Sequence, residues 1–345
     1  MLDAAAQLIL RQATEIQANR LLVVNPAEGT IGALQHHWPE RELDVWALHV
    51  RGKQGALHSV CFAAQFESPK SVNYDGVLVF LPKEKQLMAM LMANLRAVAQ
   101  PGTPLWLCGH KDTGIKSQLK TEHEGWAPFY KIANGNHCQL LRTELHHACP
   151  FSLEAWLSRY QISRPEGDIT VTTLPGVFSA QHLDAGTELL LDHLPPHISG
   201  HVLDFGCGAG VISAVLALHP QVTQISALDV SPLALAATQL TLAPILQRED
   251  GLPQKQLSLI GSDGLSDFNG PVDWIVTNPP FHTGKRTDYE ITRDFIRKSR
   301  TILSPGGRLL LVANRFLPYR EHLEAIYRHV DILAENSKFT VWSAH

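Results

Sequence analysis

The sequence predicts an α/β protein built as two tandem, doubly wound units, and three observations carry that expectation. Apolar strand signals alternate with helical ones through the C-terminal half. A fainter version of the same pattern runs through the N-terminal half. The length of 345 residues exceeds one ordinary core at about 150 residues per domain.

In the C-terminal half, "HVLDF" (201–205) reads as a short buried strand, "GCGAG" (206–210) as a glycine-rich turn and "VISAVLALH" as a helix. "QISALDV" is the next strand, and "SPLALAATQLTLA" a helix with Ser231 as N-cap and Pro232 at its first position. "QLSLIGSD" and "VDWIVTN" are strands, "TDYEITRDFIRKSRTIL" a helix, "GGRLLLVAN" a strand, "YREHLEAIYRH" a helix and "SKFTVWSA" a closing strand. Strands separated by helices demand crossover connections, hence a parallel sheet.

The N-terminal half aligns with part of this. "YDGVLVFLPK" matches "VDWIVTNPPF" at an offset of 198, and "PGTPLWLCGH" matches "PGGRLLLVAN" at an offset of 204. The helix "EKQLMAMLMANLRAVA" fills the slot between them. The chain therefore reads as a duplication with unequal copies. No Gly-x-Gly-x-Gly follows a strand in residues 1–150, and Phe80 stands where the second copy has Asn278. The expected boundaries are 1–160 for a first unit that keeps the scaffold and lacks the chemistry, a structural brace or nucleic-acid platform, and 168–345 for the second unit. Residues of about 150–175 form the expected connector.

Composition narrows the class of protein. At 45% hydrophobic and 18% charged residues the chain is globular, and 29 basic against 33 acidic side chains give a net charge of -4. A nucleic-acid partner would need a local basic patch. Residues 284–328 offer one, with ten basic against five acidic side chains. Five dispersed cysteines without a C-x-x-C pair point to a reducing compartment. The N-terminal run is broken by Arg11, Glu15 and Arg20 and reads as an amphipathic helix. No apolar stretch reaches the length of about 18 residues that a membrane span needs. A cytoplasmic protein with no membrane association is expected. Of the 18 histidines, His193, His197 and His201 are spaced by four, but "HLPPHISGH" cannot be a helix face, so no metal site is expected.

The chemistry gathers at strand ends. Gly206, Gly208 and Gly210 permit a tight turn and close approach of a ligand outside the carboxyl ends of the strands. The third glycine comes one residue earlier than in the dinucleotide fingerprint, and Asp204 precedes the first by two. An acid there suits the ammonium of S-adenosylmethionine better than a pyrophosphate. Asp229 ends the second strand, where a carboxylate accepts from ribose hydroxyls. Asp263 is placed to accept from an adenine amino group, with Gly264 leaving room for the ring. Each aspartate alone could simply cap a helix.

"TNPPF" (277–281) follows the fourth strand. Its prolines remove two donors and stiffen the exit from the sheet. The Asn278 side-chain oxygen and the Pro279 carbonyl can each accept one N–H of a planar amine and turn its lone pair toward an electrophile. Phe281 adds a stacking face, worth roughly 1–3 kcal/mol per base.

"DFGCGAG", "LDVSPLAL", "NPPFHTG" and the upstream "TLPGVFSAQHLDAGTELLL" together resemble the class I, S-adenosylmethionine-dependent methyltransferases that modify ribosomal RNA at guanine N2. The resemblance is strongest over residues 168–345. It implies a mostly parallel seven-stranded sheet with an antiparallel last strand, and a degenerate methyltransferase fold as first copy. It also implies a guanine of 16S rRNA, guanine 1207 in family terms, presented in the small ribosomal subunit or an assembly intermediate to a monomeric enzyme. Phe178, Asp184 and Gly186 carry over as residues closing the cofactor pocket. "NPPF" also serves N6-adenine methylation and methylation of a protein glutamine amide, so those substrates remain open, as does a nicotinamide-dependent oxidoreductase.

Overall fold

A computed structural model describes residues 2–69, 72–179, 181–247, 255–279 and 286–345, the side chains of 286–291 excepted. The chain divides into two compact units, Met1–Leu157 and Ser158–His345.

The first unit runs α1 (Ala4–Arg11), β1 (Arg20–Val24), α2 (Thr30–His37), β2 (Glu42–Trp46), β3 (Val60–Cys61), β4 (Gly76–Phe80), α3 (Lys85–Val98), β5 (Pro104–His110), β6 (Tyr130–Gly135) and β7 (Cys138–Glu144). Its sheet has the order β3-β2-β1-β4-β5-β7-β6. β7 pairs antiparallel with β5 and with β6, while the other pairings are parallel. Every residue of β4 is buried, as expected of a central parallel strand covered on both faces.

The second unit opens with a hairpin, β8 (Ser158–Arg164) and β9 (Gly167–Thr173), and continues with α4 (Ala185–Leu191), β10 (Gly200–Phe205), α5 (Val211–Leu218), β11 (Val222–Asp229), α6 (Pro232–Leu246), β12 (Gln256–Gly261), β13 (Val272–Thr277), α7 (Arg286–Ile302), β14 (Leu303–Asn314), α8 (Tyr319–Glu324), β15 (Val330–Glu335) and β16 (Phe339–Ala344). The order β12-β11-β10-β13-β14-β16-β15 repeats that of the first sheet strand for strand. β16 lies antiparallel to both β14 and β15.

The repeat extends to individual contacts. The Asp75 carboxylate accepts from the Asn19 and Arg20 amides at 3.0 and 2.9 Å, and its counterpart Asp273 accepts from the His201 amide at 2.8 Å. Each aspartate thus ties the entry of the fourth strand of its sheet to the start of the first. The copies diverge where those strands end. Phe80, at the place of Asn278, is buried at 5% exposure. Asn25 turns the chain after β1 at φ 55° and donates from Nδ2 to the Phe80 carbonyl at 3.0 Å.

Three features add to the sequence expectation or differ from it. Residues 158–173, within the stretch read as a connector, form a hairpin packed on α6. The Thr172 amide donates to Thr241 Oγ1 and that hydroxyl donates back to the Thr172 carbonyl, so both groups are satisfied in a buried setting. Between α8 and β16 stands β15, absent from the sequence reading although Val330, Ile332 and Ala334 recur at the strand period; most of its side chains are exposed. Ser231 precedes α6 without a side-chain capping bond; instead its amide donates to Asp229 Oδ1 at 3.0 Å.

Gly210 sits at φ 78°, and a Cβ there would lie 2.9 Å from the Thr238 Cα. Gly210 thus also has a packing role, letting α5 approach α6. Gly210→Ala should cost at least the roughly 1–2 kcal/mol of left-handed backbone. The midpoint of the second unit's thermal unfolding should then fall by several degrees, read by calorimetry and by hydrogen exchange of α5. An unchanged midpoint would contradict this packing.

Candidate functional site

β10 and β13 are parallel neighbours, so their carboxyl ends reach the same edge of the sheet. There the Thr277 hydroxyl, fully buried, donates to the Phe205 carbonyl at 2.7 Å. This bond sets the spacing between the two segments that follow, Gly206–Gly210 and Asn278–Pro279.

The glycine turn is held from beneath. The Gly206 and Cys207 amides donate to the Leu228 carbonyl at 2.8 and 2.9 Å, and the Gly210 amide to the Cys207 carbonyl at 2.8 Å. Thr238 Oγ1 donates to the Gly208 carbonyl at 3.1 Å, and the Gly208 amide donates to Asp229 Oδ2 at 3.1 Å. Gly206, Gly208 and Gly210 all have positive φ, a conformation costly for any other residue. Burial pushes the Cys207 thiol well above its ordinary pKa, so this cysteine packs and is no nucleophile.

Asn278 faces this turn across a cleft lined in part by Phe178, Asp184, Thr187, Gly206 and Gly208. Its amide nitrogen donates to Asp184 Oδ2 and to Thr187 Oγ1, both at 2.9 Å. A carboxylate only accepts, so the nitrogen must be the atom turned toward it. Both amide hydrogens are thereby used, and Oδ1 is the functional atom left to the cleft. Asp184 is itself the N-cap of α4, accepting from the Gly186 and Thr187 amides at 2.9 and 3.0 Å, where a negative charge is favoured.

The remaining residues singled out from sequence take varied places. Phe178, 58% exposed, lies over the turn, its carbonyl 3.9 Å from where a Gly208 Cβ would be. Gly186 is a packing position, since a Cβ there would meet the Phe339 ring at 3.2 Å. Asp229 stands below the turn at the end of β11. Asp263 lies two residues beyond β12, before Gly264 at φ 65°. Pro279 is buried, and Phe281 lies outside the described residues.

Asp204 departs from the direct ligand contact read from sequence. It is fully buried, and its Oδ2 accepts from the Ser213 amide and hydroxyl at 3.0 and 2.6 Å. Oδ1 has no hydrogen-bond partner. Burial lifts the carboxyl to about 7, opposed by the Ser213 hydrogen bonds and reinforced by the nearby Asp229 charge. Burial raises Asp229 too, while the Ser231 and Gly208 amides hold it back.

Thr187, Thr277 and Thr238 are the positions that sequence reasoning missed. Only Thr187 had a local signal, an N-cap aspartate three residues earlier. The basic run of 284–328 is partly neutralised on the helix itself, because Arg297 and Lys298 pair with Asp294 at 2.6 and 2.9 Å. The three spaced histidines make separate contacts, with the Leu189 carbonyl, the Trp274 ring and the Ser226 hydroxyl. Among the described residues no cluster of three or more metal-ligating side chains occurs. No helix among them is long and apolar enough to cross a membrane.

The fold is that of a methyltransferase small domain with its N-terminal companion: the family models bearing these two descriptions match residues 168–343 and 6–160. Ribosomal RNA small subunit methyltransferase C of Idiomarina loihiensis is 36% identical over 100% of this chain and 99% of its own length. Its namesake in Pseudomonas entomophila is 36% identical over 99% of both. The chain belongs to the ribosomal RNA small subunit methyltransferase C family. In structure it is similar to the T. thermophilus 16S rRNA N2 G1207 methyltransferase solved with AdoMet and guanosine, with a TM-score of 0.80, 21% identity, and coverage of 99% of this chain and 92% of that one.

The raised Asp204 pKa has a definite sign. The folded state holds the proton up to about 7, whereas the unfolded chain releases it near 3.9. The folded state therefore binds more protons between these values, and stability from this group is lost as pH rises through that window. In the ligand-free protein, Asp204→Asn should gain stability relative to wild type progressively from pH 4 to pH 8, followed by thermal midpoints across pH. A difference that is flat with pH would show that Asp204 is not raised.

Proposed function

We propose that the protein transfers a methyl group from S-adenosylmethionine to the exocyclic N2 of a guanine in 16S rRNA. The position named for the T. thermophilus protein, G1207, is the one we assign. The observation that carries the reading is the committed Asn278 amide, whose Oδ1 remains to accept an N–H from a planar amine. We further propose that the enzyme acts as a monomer, in the cytoplasm, on RNA within the small subunit or an assembly intermediate.

The cleft suits the cofactor on its own terms. Gly206 and Gly208 present backbone without side chains, a Gly208 Cβ would meet only the Phe178 carbonyl, and the acids Asp204 and Asp229 stand beneath. When bound there, S-adenosylmethionine supplies an electrophilic methyl on a sulfonium. The glycine turn would hold its amino-acid end and Asp229 its ribose, with the Asp204 carboxyl below, its ionised form favoured by the ligand's ammonium, and Asp263 receiving the adenine amine. Phe178, Asp184 and Gly186 form the side that closes the pocket.

Asn278 Oδ1 accepts one hydrogen of the target amine and the Pro279 carbonyl accepts the other. The nitrogen lone pair, otherwise delocalised into the purine, is then turned toward the methyl. Phe281 would supply the stacking face, and the target amine would release its surplus proton to solvent. Asp184 and Thr187 prevent the Asn278 amide from turning over, which would present a donor to a donor. A guanine in a folded segment must leave its stack to reach this position, at a cost of a few kcal/mol that favours an exposed target.

Asn278→Ala should lower methyl transfer to 16S rRNA by about two to three orders of magnitude, the scale for losing one oriented hydrogen-bond partner in a preorganised site. Affinity for S-adenosylhomocysteine should change little. The assay is N2-methylguanine in the nucleoside digest. Full activity of the variant, or a different methylated nucleoside from wild type, would sink the reading.

For residues 1–160 we propose a structural and RNA-binding role without cofactor. That unit has Phe80 in place of Asn278 and no glycine turn. Calorimetric titration should give one S-adenosylhomocysteine per chain, and two would refute the assignment.

A further inference from the structure

Beyond the cleft, the carboxyl edge of the second sheet carries a separate hollow of about 520 Å³, lined by Asn314, Arg315, Phe316, Ser337 and Lys338. Phe316 is 73% exposed, so its ring is available to a partner. The hollow forms where β14 ends and β16 begins. The Arg315 amide donates to the Lys338 carbonyl at 2.8 Å, and Asn336 Oδ1 accepts from the Lys338 and Phe339 amides, both at 2.8 Å. The two turns are thus clamped together, and the ring rests on a braced backbone.

Its position relative to the reacting amide follows from register. β14 is the parallel neighbour of β13, with Thr277 opposite Leu311, so Asn314 emerges at the same edge as Asn278. In the antiparallel pairing Asn314 faces Phe339. The Phe339 ring in turn packs on Gly186, in the first turn of the helix whose cap, Asp184, holds Asn278. Packed residues therefore connect the hollow to the catalytic amide within one unit.

An exposed aromatic face between two cations is the chemistry that binds an unpaired nucleotide, the ring stacking on the base and the cations meeting phosphate. Arg315 is already oriented by Glu335 at 3.0 Å, which leaves Lys338 as the second positive group at the rim. We propose that Phe316, with Arg315 and Lys338, forms a subsite for a nucleotide flanking the target guanine in an unpaired RNA strand. The proposal rests on the RNA-methylating reading above and adds the residues that grip the strand beside the methylated base.

The test is direct binding of a fluorescent, unpaired oligoribonucleotide containing one guanine, measured by anisotropy on the full chain. Phe316→Ala should weaken binding about tenfold, within the range for loss of one stacked base. Phe316→Tyr should restore it, and Lys338→Ala should reduce the salt dependence of binding. S-adenosylhomocysteine affinity should be unchanged in all three. Equal RNA affinity of wild type and Phe316→Ala overturns the subsite, whatever the methylation assay shows. If Phe316→Ala binds the oligonucleotide normally yet loses activity only on assembled subunits, the ring docks a protein and the proposal is also overturned. Weakened RNA binding in a protein that methylates no ribosomal RNA would leave the subsite standing and remove the enzymatic reading instead.

Discussion

The site depends on one interaction, the pair of hydrogen bonds from the Asn278 amide nitrogen to Asp184 and Thr187. An amide presents a donor or an acceptor according to which way it is turned, and nothing in its shape decides between them. A hydrogen bond to a charged group is worth about 1.5–3 kcal/mol, enough to hold one orientation over the other by at least tenfold. Asp184 is in turn held by the first amides of α4, so the preference of a helix N-terminus for negative charge fixes the acceptor that the cleft presents.

The rest of the second unit brings these partners together. Parallel strands end at a common edge, and the buried Thr277 hydroxyl ties the end of β13 to that of β10. The first unit has the same sheet order and the same aspartate clip at Asp75, yet its edge is filled. Phe80 is buried where an amide would stand, and Asn25 bonds its carbonyl. A scaffold of this kind survives without its site because sheet order and helix packing depend on apolar burial, whereas the site depends on a few polar groups at the strand ends.

Asp204, fully buried, and Asp229, half-buried, stand at the glycine turn, and desolvation raises the pKa of both. The Asp229 charge further disfavours ionisation of Asp204, and Asp204 Oδ1 has no hydrogen-bond partner. Buried acids of this kind cluster at functional sites. On the methyltransferase reading, the positive charge of a bound ligand would favour the ionised form of both acids.

Strand and helix order, the duplication and the glycine turn were legible because each rests on local chemistry: apolar runs at the period of their element, and glycine where φ is positive. Phe281 and the basic stretch around it had a chemical rationale in sequence, but part of that stretch is spent on pairs with Asp294. The exposed strand β15 carries a short apolar alternation, Val330, Ile332 and Ala334, too brief beside the helix before it to be separated from it by period alone. Spacing alone could not reveal that Asp184 orients an amide 94 residues away, that Thr277 fixes the edge through a carbonyl 72 residues away, or that Asp204 turns inward to Ser213. Local backbone preference and periodicity are written in adjacent residues, so the sequence by itself determined the elements and their chemical vocabulary. The direction a polar side chain faces depends on partners that only the folded sheet brings within 3 Å, and tertiary structure alone decided that.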